Sequence, residues 1–130
     1  MSANILQLPA SMRLKGEENY PFWKEQMTIL IQSLGLFNYI DSLYAIPTKV
    51  DLNDFKISQD DRDRWTTYRN EDAKARLAIT YNIDNEIQRL IIGKETAISM
   101  WTALQEYYEG KGYVIKYNAI MNFINIQYSD

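Results

Sequence analysis

The stretch Leu14-Lys15-Gly16-Glu17-Glu18-Asn19-Tyr20-Pro21-Phe22-Trp23 has the grammar of a helix start. Asn19 offers an oxygen to the open N–H groups of a first turn, and Pro21 sits just inside, where its missing N–H and fixed φ do no harm. At about 100° per residue, Tyr20, Trp23, Met27, Leu30, Ile31 and Leu34 fall in one arc. Lys24, Glu25, Thr28, Gln32 and Ser33 fall outside it, and Gly35 stops the helix as a C′ glycine does. Phe22 and Ile29 break the pattern. Seven residues apart, they share nearly one angle on the polar back of the helix, opposite the Trp23 arc and among Glu25, Gln32 and Ser33.

Two readings of that pair stand side by side. Either the N-terminal arm or the Leu36 to Ile57 connector covers it within the same chain, or it is exposed and belongs to a subunit contact.

Upstream, Ile5, Leu6, Leu8 and Met12 give residues 1–13 enough apolar character to dock as an extended arm, because Pro9 prevents a clean helix there. Nothing in Met1 to Ala10 has the form of a signal peptide. Downstream, residues 36–43 have room for one helical turn, Pro47 ends anything regular, and Val50 to Ile57 is an acidic connector without periodicity. Ser58-Gln59-Asp60-Asp61 has the form of a capping box with Asp61 in place of the usual Glu, so a long helix is expected to about Tyr81. Its inner arc holds Trp65, Tyr68, Ala75 and Ile79, with the carboxylate of Asp72 out of pattern among them.

Asp84 is placed to cap a short successor that Gly93 closes, and Thr96 to cap a helix with the inner arc Ala97, Met100, Trp101, Leu104, Tyr107 and Tyr108. Gly110 and Gly112 punctuate its end. A last helix from Tyr113 carries Tyr117, Ile120, Met121 and Ile124 on one face and Ile115 and Ile126 on the other, the pattern of a helix sandwiched between neighbours. No period-two alternation persists, so the fold class is all-α: a compact bundle of about five helices over residues 14–130.

At 130 residues and 46% apolar content, the chain is one domain able to bury a core. It has no histidine and no cysteine, which removes thiol nucleophiles, His-based triads, disulfides and the usual zinc ligands, and no enzyme is expected. No metal or other cofactor is expected either. No apolar run approaches the roughly 18 residues of a membrane span. With a net charge of −3 there is no summed positive field for a phosphate backbone, so direct nucleic-acid binding is weak or absent, with Lys94, Lys111 and Lys116 as the one place for a contact.

Each of the three tryptophans lies in its helix's apolar stripe, which makes it a core residue rather than part of a stacking platform. Tyr20, Trp23, Met27, Trp65, Asp72, Ile79, Trp101, Leu104 and Tyr108 are therefore the expected structural core. Asp72 has no second acid, ligand or base in its pattern, so it is expected to be a buried acceptor bonded to an indole N–H or a tyrosine hydroxyl. Asp60, Asp61 and Asp63 do not converge on a cation and instead complement a helix N-terminus.

Leu14-x-Gly16-x-x-Asn19-Tyr20-x-x-Trp23, then Trp65 with Asp72-x-x-Ala75-x-x-x-Ile79, then Thr96-Ala97-x-x-x-Trp101-x-x-Leu104 followed by Tyr107 and Tyr108, together resemble the N-terminal part of Gag from copia-type LTR retrotransposons. The resemblance runs from Leu14 to the end of the chain. It implies a domain similar to a retroviral-type capsid N-terminal domain, which self-assembles into cytoplasmic virus-like particles around the element's RNA. The partner implied is a second copy of the chain, with a second capsid domain expected beyond Asp130 and RNA packaged by a downstream region. Phe22, Ile29, Ile115 and Ile126 are the candidate assembly contacts. The alternative is a domesticated Gag-derived adaptor that binds a protein or peptide partner. No Asp-Thr-Gly or Asp-Ser-Gly protease motif occurs.

Overall fold

The computed structural model describes residues 6–113, and among these it is mostly helical with no strand. Three α-helices form the frame: α1 (Tyr20–Ser33), α2 (Gln59–Tyr81) and α3 (Ala97–Gln105), the last continued by a π-helical segment, Glu106–Tyr113. That is fewer than the five helices expected. The stretches after α1 and α2 are short 3-10 turns, Phe37–Ile40 and Asn85–Leu90, too brief to add further α-helices. The helix expected from Tyr113 onward, with Ile115 and Ile126, lies outside the described residues.

Local chemistry explains most boundaries. The Ser58 hydroxyl accepts from the N–H of Asp61 at 3.1 Å, so the serine half of that box forms. At Thr96 the box is reciprocal: its hydroxyl accepts from the Ser99 N–H, and the Ser99 hydroxyl from the Thr96 N–H, both at 3.1 Å. Gly35 and Gly93 end their elements at φ +75° and +84°, left-handed backbone that a side chain resists.

Asn19 departs from expectation. It precedes α1, but its side chain reaches backward, accepting from the N–H groups of Lys15 and Gly16 and donating to the Arg13 carbonyl. It shapes the entry turn Glu17–Asn19 rather than capping α1.

The core lies where α1, α2 and α3 meet. Trp23, Met27 and Ile31 of α1 are fully buried, with Ala75, Ala78 and Ile79 of α2 and Ala97, Trp101 and Leu104 of α3 packed in the same cluster. The rings of Trp23 and Trp101 stand 5.7 Å apart, and Tyr20 stacks on Tyr108 at 4.7 Å. The N-terminal arm is part of this body: Leu6 and Leu8 pack on the core, and Leu14 and Ile83 form an isolated parallel bridge through Leu14 N–H to Asn82 O and Asp84 N–H to Leu14 O, each 2.9 Å.

Trp65 is only half-buried, contrary to its assignment to the core. α2 has 23 residues against 14 in α1 and 9 in α3, and its buried positions begin only at Tyr68. Its first turns outrun the bundle and meet the connector instead. Trp65 there stacks against Tyr68, ring centres 5.5 Å apart.

Candidate interaction surfaces

Burial of one face of α1 fixes what its other face presents. With Tyr20, Trp23, Met27 and Ile31 turned inward, Phe22 and Ile29 point out, 47% and 54% exposed. Among the described residues, neither the arm nor the connector buries them. A buried Phe or Ile side chain is stabilised by about 1.5 to 3 kcal/mol relative to an exposed one, so two on a polar face are a standing drive toward contact.

Three polar clusters hold the faces in place. The first centres on Asp72, only 4% exposed. Its expected donor, an indole or a tyrosine, is not the observed one. Oδ1 accepts from the backbone N–H of Ala97, at the N-terminus of α3, and Oδ2 pairs with Arg76 Nε, both at 2.9 Å. A carboxylate on α2 thereby satisfies an open N–H of α3 and meets the positive end of its dipole.

The indole of Trp23 goes elsewhere, donating at 2.7 Å to the backbone oxygen of Asn82. Asn82, the residue directly after α2, is the second cluster. It is fully buried; Oδ1 accepts from the Leu8 N–H, and Nδ2 donates to the carbonyls of Leu6 and Ala78. Its side-chain amide is what ties the arm to α2. An asparagine directly after a long helix carries no sequence signal for such a role, because both arm partners lie more than seventy residues away.

The third cluster joins α1 to the π-helical segment. Glu109 Oε2 accepts from the Tyr20 hydroxyl at 2.6 Å and from Lys24 Nζ at 2.7 Å. Burial pushes the Tyr20 phenol far above its usual value, and Glu109 pushes it the same way through the hydrogen bond and its negative charge. Glu109 stands 89 and 85 positions from Tyr20 and Lys24, so no local pattern in the sequence pairs them.

The nine expected core positions are thus distributed as follows: Trp23, Met27, Ile79 and Leu104 are fully or nearly fully enclosed, Tyr20, Asp72, Trp101 and Tyr108 are buried, and Trp65 sits at the edge. Leu14, Leu36 and Ile83, which the helical wheels left unassigned, are fully or nearly fully buried as well.

A second surface lies beside Trp65. A cleft of about 590 Å³ separates the connector, through Tyr44, Ile46 and Pro47, from α2, through Asp63, Thr67 and Tyr68. Tyr39 joins Tyr44 and Tyr68 at ring distances of 5.5 and 5.9 Å, so four aromatic rings run in series to Trp65. Burial raises the Tyr39 and Tyr68 phenols, which favours their neutral form.

Among the described residues no group of His, Cys, Asp or Glu is placed to hold a metal ion, and no helix is long and apolar enough to cross a membrane. Residues 27–130 match the family described as gag-polypeptide of LTR copia-type. No curated protein and no solved structure matches the chain.

Proposed function

Because the chain belongs to the gag-polypeptide family of LTR copia-type elements, we propose that it is a self-assembling capsid domain and that Phe22 and Ile29 form part of the contact between copies. The family is a structural, non-catalytic polyprotein region. The observation that carries the residue assignment is the exposure of both apolar side chains on the outer face of α1, on a helix whose opposite face is anchored by Trp23 in the core. A rigid helix presenting apolar side chains is suited to repeated, individually weak contacts, because the geometry is fixed before association. Particle formation around element RNA in the cytoplasm, a second capsid domain beyond Asp130 and RNA packaging through it or a later region complete this proposal. Ile115 and Ile126 remain candidates for a second contact.

Phe22→Asp with Ile29→Lys, introduced into a full-length protein carrying this chain, is expected to abolish particles in electron micrographs while the isolated chain keeps its circular dichroism and melting temperature. Normal particles from a folded double mutant refute the assignment. Ile29→Lys alone, at the more exposed of the two positions, gives a folded control should the double mutant fail to fold.

A further inference from the structure

The inner face of α3 is core, and its outer face is open. Ile98, Ser99, Thr102 and Ala103 are half-buried and line a trough of about 310 Å³ along that outer face. Ile98 and Thr102 also line a second hollow, of about 250 Å³, bordered by the exposed ring of Phe37. Charge marks only the two ends of the trough, with Lys94 at its start and Glu106 at its finish. Both are exposed, and among the described residues neither is in an ion pair.

Residues 114–130 have the complementary pattern. They carry two charges, Lys116 and Asp130, and the positions between these hold none. At the helical rise that their periodicity predicts, Lys116 and Asp130 stand about 21 Å apart along the axis, against about 18 Å for the steps from Lys94 to Glu106. The order of the signs fixes the direction. Laid antiparallel to α3, Lys116 meets Glu106 and Asp130 comes within reach of Lys94, whereas a parallel arrangement sets like charges together at both ends. Stepping four residues at a time from the first pair places Ile120 against Thr102 and Ile124 against Ile98, on one face of each helix.

A hairpin within one chain that brings Lys116 to Glu106 has to turn midway, at Gly110-Lys111-Gly112. Those three residues lie inside the helical segment Glu106–Tyr113, and Glu109 beside them is held to α1 by Tyr20 and Lys24, at 2.6 and 2.7 Å. The turn is not there, so the occupant has to come from elsewhere. We propose that residues 114–130 of one copy lie as an antiparallel helix in the α3 trough of a second copy. The pairing is self-complementary: a two-fold axis near residue 111 makes each contact twice. This deepens the assembly reading and rests on it only in requiring that copies associate. Phe22 and Ile29 take no part, since neither lines the trough or the hollow beside it.

The chain has no cysteine, so engineered thiols report the contact without background. Full chain carrying Thr102→Cys, mixed with full chain carrying Ile120→Cys and oxidised, is expected to give a disulfide-linked dimer in a yield that neither preparation reaches alone. Thr66→Cys, at an exposed position on α2, replaces Thr102→Cys in the control and is expected to give none. No dimer from the first mixture, or an equal yield from the control, overturns the proposal. So does a cross-linked monomer from the double variant Thr102→Cys with Ile120→Cys at high dilution, since the segment then folds back on its own chain. In sedimentation, Glu106→Lys is expected to weaken self-association by about tenfold, because like charges then meet in both symmetric contacts, and Lys116→Glu added to it to restore the parent value. Failure of that rescue also overturns the pairing. Phe22→Asp with Ile29→Lys, introduced into both cysteine preparations, is expected to leave the disulfide yield unchanged, so particles lost through α1 and a disulfide lost at the trough are separate failures.

Discussion

The Asp72 carboxylate is a helix cap supplied from a different helix, and its two hydrogen bonds make opposite demands on a substitute. Asn at position 72 retains an oxygen for the Ala97 N–H but loses the charge that faces Arg76 and the α3 dipole. Leu loses both and leaves a buried N–H unsatisfied. Hydrogen bonds to charged groups contribute about 1.5 to 3 kcal/mol, and breaking a buried pair costs about 3 to 5. Asp72→Leu is therefore expected to lower unfolding free energy in urea by about 3 to 5 kcal/mol and Asp72→Asn by clearly less; equal effects would place the value of Asp72 in packing alone. Asn82 poses the reverse problem, because its Nδ2 donates to two carbonyls. Asn82→Asp turns that donor into an anion facing both, so it is expected to destabilise more than Asn82→Ala. Hydrogen exchange at the Leu8 amide should rise in both variants. Burial of Asp72 was legible because an angle on a helical wheel is a local property. Its partners were not, since Ala97 is twenty-five positions away and reaches it only after α2 and α3 have packed.

Elements whose ends are set by neighbouring residues were the most legible part of the fold. Ser58, Thr96, Gly35 and Gly93 each act within a few positions of their own, setting the starts of α2 and α3, the end of α1 and the close of the 3-10 segment Asn85–Leu90. The two glycine stops rest on backbone conformation alone, since a Cβ at Gly35 or Gly93 meets no atom within 4 Å. Gly35→Ala is accordingly expected to cost about 1 to 2 kcal/mol of strain, with Gly35→Asn milder, readable as a fall in melting temperature. The end of α3 was misjudged for an instructive reason. Gly110 marks a helix stop by its intrinsic preference, yet the helical path continues through it to Tyr113 with i to i+5 geometry. Glu109, immediately before Gly110, is held against α1 by Tyr20 and Lys24, a tertiary contact able to override a weak local preference. Lys24 and Glu109 are both partly exposed, so Glu109→Ala should lower global stability by only about 1 kcal/mol yet speed exchange of the amides of 106–110 well beyond that figure. Unchanged exchange there would show that stacking of Tyr20 on Tyr108 holds the segment without the carboxylate.

For the whole molecule, the helical class and the identity of the inward faces could be read from periodicity, and Phe22 and Ile29 could be singled out from angle alone. Whether those two were covered could not, because cover is decided by where a distant arm and connector come to rest. The cleft beside Trp65 was illegible for a related cause: it exists because α2 is longer than the helices it packs against, a mismatch that emerges only on assembly of the bundle. Composition has a further consequence at this scale. With neither histidine nor cysteine, no side chain with an ordinary pKa changes charge around neutrality, so stability should be nearly level from about pH 6 to 8.5. The alkaline side differs. Tyr20, Tyr39, Tyr68 and Tyr108 all have phenol pKa values raised in the folded state, in each case chiefly by burial. A group whose folded pKa exceeds its unfolded one contributes stability that is complete below the unfolded value, about 10 for tyrosine, and is lost as pH climbs toward the folded value. Melting temperature is thus expected to fall steeply above about pH 10. Tyr20 is under the strongest pressure to stay neutral, from its burial and from the Glu109 carboxylate against its hydroxyl, so Tyr20→Phe should lessen the alkaline fall while lowering stability near neutrality through loss of the Glu109 hydrogen bond. An alkaline profile identical in the two proteins would show that ionisation of Tyr20 does not govern the transition, and would assign it to Tyr39, Tyr68 and Tyr108.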